Sequence, residues 1–356
     1  MTHTIAVLRG DGIGPEVVEA ALSVLGACVP IRTCEGRIGG EAIDKDGDPL
    51  PAETLELCLR SDAVLLGAVG GPRWAGPLRA EDGLLRLRRG LELHSNLRPA
   101  RYMGLETPLR PGLVREVDIL VVRDLAGGVY FGEPRGSSDG MAFNTWRQSA
   151  DQVRRTGRVA FEMARRRRHK VTSVDKANVL EASRLWRAVI SEVAREYPDV
   201  SLEHRYVDAA SFELLQAPRC FDVVVTDNLF GDILSDELAA VVGSIGLLPS
   251  ASLGEGPSLY EPVHGSAPDL AGRGIANPVG AILSVALLLE HSLGRPDLGR
   301  AVEASVALAL QEVKTPDIGG DATTREVTAA VHQHLSWLRW AGAPDEQGTA
   351  SAEWGV

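Results

Sequence analysis

The chain has 356 residues, 44% apolar and 24% charged, with a formal net charge of −11. That length supports a large core and two domains, and the acidic balance excludes a non-specific binder of nucleic acid or anionic membrane. Four cysteines without zinc or pairing spacing, no signal-peptide core and no apolar run of ~18 residues give the expectation of a cytoplasmic protein with reduced thiols.

Thr4 to Leu8 reads as a first strand, followed by Gly10-Asp-Gly-Ile-Gly-Pro-Glu16 and a helix through Val17 to Leu25. The glycines are spaced G-x-G-x-G rather than G-x-G-x-x-G, so a dinucleotide fingerprint is rejected. Ala63 to Leu66 is a short buried strand ending in Gly67-Ala-Val-Gly-Gly-Pro72. A helix from Gly83 carries leucines on one side and arginines on the other, and Asn96-Leu-Arg-Pro99 leaves it. Ile119 to Arg123 is a strand, and Gln152 to Arg168 a long helix whose basic end, Arg165 to His169, reads as solvated and suited to the helix dipole.

Val171 to Val174 is a strand ending on Asp175-Lys-Ala-Asn178, with a helix through Trp186 and Val193 behind it. Leu202 to Val207 is a strand ending at Asp208. Phe221 to Val225 is apolar, β-branched and short, so it reads as a buried strand. Thr226-Asp227-Asn228 are turn formers, and a helix is expected from about Gly231. Past it come glycine-rich 243–249, a loop around Glu261-Pro-Val-His264, and helices over about 279–293, 299–313 and 323–338. Residues 341–356 read as a disordered tail. Strand followed by helix, several times over, predicts a mainly parallel sheet covered by helices.

Polar residues recur at strand ends: Arg123, Lys176, Asp208 and the 226–236 stretch. An open α/β sheet places ligand chemistry there. Asp232 and Asp236 are spaced i and i+4, so their carboxylates share a helix face. With Asp208 they could supply oxygen ligands to Mg²⁺ or Mn²⁺; the alternative is a solvated face favoured by the helix dipole. Arg88, Arg98 and Arg123 could clamp carboxylates bidentately, or sit on the surface. Lys176 and Tyr130 could serve acid–base chemistry, or be a surface ion pair and a satisfied core residue. His264 could be an ordinary loop histidine.

Eight runs, in order, resemble one family: Gly10 to Glu16, Gly67 to Pro72, Asn96 to Pro99, Gly127 to Gly136, Ser173 to Glu181, Tyr206 to Ala209, Phe230 to Asp236 and Glu261 to Asp269. The chain resembles the decarboxylating β-hydroxyacid dehydrogenases, the isocitrate/isopropylmalate dehydrogenase family, over about 5–338. The resemblance implies a two-domain α/β fold that is not a Rossmann fold. The first domain would be discontinuous (1–93 plus 243–340) and the second central (94–242), carrying the dimer contact and metal site.

It also implies NAD⁺-dependent oxidative decarboxylation of a 3-substituted malate. 3-Isopropylmalate of leucine biosynthesis is the expected substrate; another 3-alkylmalate, tartrate or malate is the alternative. Arg88, Arg98 and Arg123 would grip carboxylates, Tyr130 would be the general acid, and Lys176 would take the hydroxyl proton. Asp208, Asp232 and Asp236 would hold Mg²⁺ or Mn²⁺, with Asp208 also near substrate. Lys176 and Asp208 would come from the partner subunit of a homodimer. Glu81, Leu84, Leu85 and Val179 match the pocket for the alkyl substituent. Ile13, Glu261, His264, Gly265, Ser266, Ala267, Asp269 and Asn277 match the cofactor site, with Asp269 favouring NAD⁺ over NADP⁺. Arg9 and Asp124 depart from the usual proline and glutamate of the family.

Overall fold

A computed structural model describes residues 2–74 and 76–340. The tail expected at 341–356 lies outside the described residues. The elements begin with β1 (His3–Gly10), α1 (Gly14–Cys28), β2 (Ile31–Gly36), α2 (Gly40–Asp46), α3 (Ala52–Leu59), β3 (Ala63–Ala68) and α4 (Ala80–Gly90). There follow β4 (Leu93–Arg101), α5 (Pro111–Val114), β5 (Asp118–Asp124), the hairpin β6 (Gly136–Ser138) and β7 (Met141–Phe143), and α6 (Ala150–Arg165). Next come β8 (Lys170–Asp175), α7 (Glu181–Val193), β9 (Ser201–Tyr206), α8 (Val207–Gln216), β10 (Val223–Thr226), α9 (Asn228–Glu237) and α10 (Ala239–Val242). The last are β11 (Pro249–Gly254), β12 (Leu259–Pro262), α11 (Val279–His291), α12 (Pro296–Glu312) and α13 (Thr324–Trp340).

Ten strands form one sheet in the order β2-β1-β3-β12-β11-β4-β5-β10-β8-β9. Its outer thirds are parallel, as expected from the strand–helix alternation. The middle is not: β11 runs antiparallel to β12 and to β4, and β4 antiparallel to β5. The two parallel blocks therefore run in opposite directions, and their C-terminal ends do not share a simple edge.

Alternation along the strands builds a core on each face. Ile5 and Val7 of β1, with Ala63 and Leu65 of β3, enter one cluster; Ala6, Leu8, Val64 and Leu66 enter the other. Helix α11 is buried from Val279 to Leu289 and packs on α1, α12, β11 and β12. Across the sheet, α6 packs on α7 and on β4, β5, β8 and β10.

Two expectations are corrected by the structure. The basic end of α6 is not simply solvated. Arg167 donates to buried Asp222 at 2.8 Å and to Asp118 at 2.9 Å, closing the helix onto the entries of β5 and β10. The helix expected near Gly231 begins at Asn228, because Asp227 caps it by accepting from the Phe230 amide. Asp232 and Asp236 consequently lie in its second and third turns rather than at its start.

Candidate active site

The Gly10-Asp-Gly turn after β1 serves backbone docking. Gly12 has φ +60°, and a Cβ there would stand 1.9 Å from the Ser266 carbonyl oxygen. Only glycine allows this approach. The Ile13 amide then donates to that carbonyl at 2.8 Å. Asp11, nearly buried, accepts from the amides of Gly40, Glu41 and Gly70. It thereby fixes the loop after β3 against α2.

A cavity of about 540 Å³ opens beside this loop. Gly67, Ala68 and Val69 line it from the end of β3, and Glu81, Leu84, Leu85 and Arg88 from α4. Arg98 of β4, Arg123 of β5, Tyr130, and Asp232 of α9 also line it, with Glu261 and Pro262 of β12 and Val263 to Gly265 after that strand. Both parallel blocks contribute to this one space.

The arginines are fixed before any ligand arrives. Arg88 donates to Glu261 at 2.7 Å, with both side chains under a tenth exposed. Among the described residues its Nε is buried without a partner. Arg98 donates from Nε to Asn96 at 2.8 Å, and from one NH to Ser235 at 2.7 Å and Asp236 at 3.1 Å. Arg123, 1% exposed, donates to Asn228 and Asp232. Asn228, Asp232 and Asp236 follow at i, i+4 and i+8, so α9 offers two arginines one continuous acceptor stripe.

The charges shift one another. Burial, then the neighbouring Arg98, lowers Arg123 to a pKa of about 9, so it remains cationic at neutral pH. Burial pushes the Asp232 carboxyl up, but Arg123, Arg98 and the Tyr130 hydroxyl outweigh it and hold it below the usual range. Asp236 goes the other way, with burial outweighing Arg98. Burial and the bond to Asp232 raise the Tyr130 phenol to about 12.

Several residues that the sequence singles out lie elsewhere. Lys176 follows β8 and pairs with Asp208, whose side chain is 67% exposed. Asp208 sits in the first turn of α8 rather than ending a strand. Val179 is 62% exposed. None of the three lines the cavity. Asp269 is exposed in a short turn, Pro268–Leu270, after Ala267, which has φ +37°. Asn277 is buried, donates to Asp317 at 3.0 Å and accepts the Val279 amide at the start of α11.

The donor set suits a divalent cation in part. Asp232 and Asp236 supply hard oxygens one helical turn apart. Among the described residues, however, no group of three or more His, Cys, Asp or Glu side chains is placed to hold a metal ion. Asp208 is not with the other two. For a nucleotide, buried His264 offers an Nε2 that has no partner among the described residues. Its Nδ1 lies 2.9 Å from the Gly265 carbonyl oxygen, which puts the proton on Nδ1 and leaves Nε2 an acceptor. A Cβ on Gly265 would meet none of the described residues within 4 Å.

Sequence reasoning passed over Val129, Arg135 and Asn144, which also line the cavity, and Asn228, which holds Arg123. Asn228 belongs to the 226–236 stretch, where its residue type points only to a turn. Its spacing of four from Asp232 was the available signal.

A family model described as isocitrate/isopropylmalate dehydrogenase matches residues 4–331. The chain belongs to the isocitrate/isopropylmalate dehydrogenase family. It is 50% identical to a 3-isopropylmalate dehydrogenase of Aquifex aeolicus, over 95% of this chain and 98% of that one. It is 54% identical to one of Gloeobacter violaceus, over 89% and 92%. Among solved structures, an isocitrate dehydrogenase from Methylococcus capsulatus superposes with a TM-score of 0.86 at 36% identity, covering 94% and 99% of the two chains. A β-decarboxylating dehydrogenase from Thermococcus kodakarensis gives 0.82 at 37% identity, covering 95% and 97%. This member of the isocitrate/isopropylmalate dehydrogenase family is therefore an oxidoreductase. Among its described residues no helix is long and apolar enough to cross a membrane.

Proposed function

We propose that the chain catalyses NAD⁺-dependent oxidative decarboxylation of (2R,3S)-3-isopropylmalate to 4-methyl-2-oxopentanoate and CO₂, as in leucine biosynthesis. The observation that carries this reading is the cavity in which Arg88, Arg98 and Arg123 face Leu84 and Leu85, with Tyr130 and Asp232 beside them. Two carboxylates need cations, and an isopropyl group needs an apolar wall. Relatives about half identical over nearly the whole chain carry that substrate in their names.

The residues have distinct tasks. Arg88, Arg98 and Arg123 bind and orient the carboxylates, which suits the planar guanidinium fork. Leu84 and Leu85 exclude water from the alkyl group; such a pocket discriminates a single methylene by only ~1–3 kcal/mol. Asp232 and Asp236 would hold Mg²⁺ or Mn²⁺, with Asp208 completing the set from a partner subunit. The ion and NAD⁺ supply, when bound, stabilisation of negative charge on oxygen and acceptance of the hydride. Lys176, also from the partner, takes the proton from the substrate hydroxyl. Loss of CO₂ from the resulting β-keto acid leaves an enolate, and Tyr130 Oη delivers its proton to that carbon. A phenol with a pKa of about 12 stays protonated through the neutral range, as a general acid must. His264 and the turn bearing Asp269 would receive the adenosine end of NAD⁺.

This reading makes the protein a homodimer. Met141 and Phe143 on the β6–β7 hairpin, Phe212 on α8 and Ile233 on α9 are each more than half exposed, which supports a covered face on 94–242. It also assigns 1–93 with 243–340 to a cofactor-binding domain and 94–242 to the domain of the dimer contact.

The test is an NADH absorbance assay of purified protein with Mg²⁺ or Mn²⁺, NAD⁺ and a panel of 3-substituted malates. 3-Isopropylmalate is expected to give the highest kcat/KM, and absence of turnover across the panel would remove the reading.

A further inference from the structure

We propose that Asn228 is a positioning residue that aims the Arg123 guanidinium at a substrate carboxylate, and that its side chain must be uncharged to do so. The inference rests on the reading of Arg123 as a substrate-binding residue, and goes beyond it in naming what orients that residue and why.

Asn228 is the first residue of α9 and is 1% exposed. Its Oδ1 accepts from Arg123 Nε at 3.0 Å and from one terminal NH₂ at 2.8 Å. One oxygen spanning two nitrogens fixes the plane of the guanidinium. The other terminal NH₂ is held one turn further along the same helix by Asp232. The amide itself has no freedom to turn over. Its Nδ2 donates to the Gly127 carbonyl at 3.3 Å, so its oxygen must face Arg123. Gly127 also opens the loop that leads to Tyr130, so one amide ties the arginine to that loop.

Charge is the reason for an amide here. Arg123 already shares its charge with Asp232, and the pair is largely out of water. A second carboxylate would leave the group net negative and weaken its attraction for an incoming anion. An amide oxygen accepts both hydrogen bonds and leaves the charge available. Asn228→Asp keeps the shape and changes the charge; Asn228→Ala removes the contacts and adds no charge.

The experiment measures KM for 3-isopropylmalate, kcat, KM for NAD⁺ and thermal stability for the parent and both variants, with calorimetric titration of 3-isopropylmalate as a readout independent of turnover. Asn228→Asp is expected to weaken substrate binding roughly tenfold or more and Asn228→Ala by roughly threefold. For both, kcat and KM for NAD⁺ are expected to stay within about threefold of the parent. A merely structural role gives the opposite order, with alanine worse than aspartate and the loss following melting temperature. That order, or an Asn228→Asp variant that binds substrate like the parent, overturns the inference. Should the aspartate variant not fold, the alanine variant decides, and an unchanged substrate KM there overturns it. A parent that neither binds nor turns over 3-isopropylmalate removes the functional reading and this inference together; an active parent matched by its variants removes this inference alone.

Discussion

Tyr130 Oη donates to Asp232 Oδ2 at 2.8 Å, while the other oxygen of that carboxylate accepts from Arg123. The proposed general acid, a proposed metal ligand and a proposed carboxylate clamp are thus one hydrogen-bonded unit within a single chain. The phenol proton is held, and the carboxylate is kept ionised by cations. Each member can be tested by a substitution that preserves size.

Tyr130→Phe removes only the hydroxyl. The expected result is a loss of kcat of roughly 10²–10⁴-fold, the usual range for general acid–base groups, with substrate KM little changed. Because the phenol titrates near 12, no alkaline loss of kcat below about pH 10 is expected from Tyr130 itself. Stopped and continuous assays of NADH and CO₂ release check both points. A variant within threefold of the parent would deny Tyr130 its role.

Asp232→Asn keeps the side-chain shape and removes the charge. Turnover dependent on Mg²⁺ or Mn²⁺ is expected to vanish while circular dichroism stays that of the folded parent. Mn²⁺ binding followed by electron paramagnetic resonance should weaken in parallel. Full activity and unchanged Mn²⁺ affinity would refute the ligand assignment.

Asp269 is exposed, after the backward-turning Ala267. A carboxylate there would accept from a ribose 2′-hydroxyl and repel a 2′-phosphate. Asp269→Lys is therefore expected to lower the NAD⁺/NADP⁺ ratio of kcat/KM at least tenfold. An unchanged ratio would place the specificity elsewhere.

Asp227 caps α9, and burial pushes its carboxyl up to about 7, with Asp124 nearby adding repulsion. Its folded-state pKa lies above its unfolded value, so its contribution to stability is complete below about pH 4 and is lost as pH rises through about 7. Asn caps helices as well as Asp. Asp227→Asn is thus expected to raise the melting temperature relative to the parent more at pH 8 than at pH 5. A difference that is the same at both values would show that Asp227 does not titrate in this window.

What the sequence reveals depends on whether an element carries a pattern. Val223 to Val225 is a continuous β-branched apolar run, and β10 lies there with its buried residues. Glycines and a proline mark the starts of α1 and its preceding turn. The central strands β4 and β11 show no such run, because Ser95, Asn96, Ser250 and Ser252 are buried in them. Those polar groups satisfy one another, as when Asn96 donates to Ser252 at 3.0 Å. Periodicity cannot find a strand whose interior is hydrogen-bonded rather than apolar. Edge strand β2 is half exposed and equally faint.

The site divides in the same way. Arg88, Arg98, Arg123, Tyr130, Asp232, Leu84 and Leu85 stand in motifs whose order suggests one place, and they line one cavity. Asn228 is not legible as a site residue, because in sequence an Asn beside Thr226 and Asp227 points only to a turn. Lys176 and Asp208 stand apart from the cavity as a pair, with the Asp208 side chain exposed and that of Lys176 partly buried. No spacing rule within one chain can say which second molecule they would meet.

That second molecule is the centre of the functional reading, and subunit complementation tests it most directly. Lys176→Ala and Asp232→Asn proteins, each inactive alone, are mixed, dissociated and reassociated, and NADH formation from 3-isopropylmalate is measured. Random pairing makes half the dimers mixed, and in each of these one of the two sites is whole, so roughly a quarter of parental activity should return. Mixtures that stay as inactive as the separate variants, although mixed dimers form, would contradict a site shared between subunits.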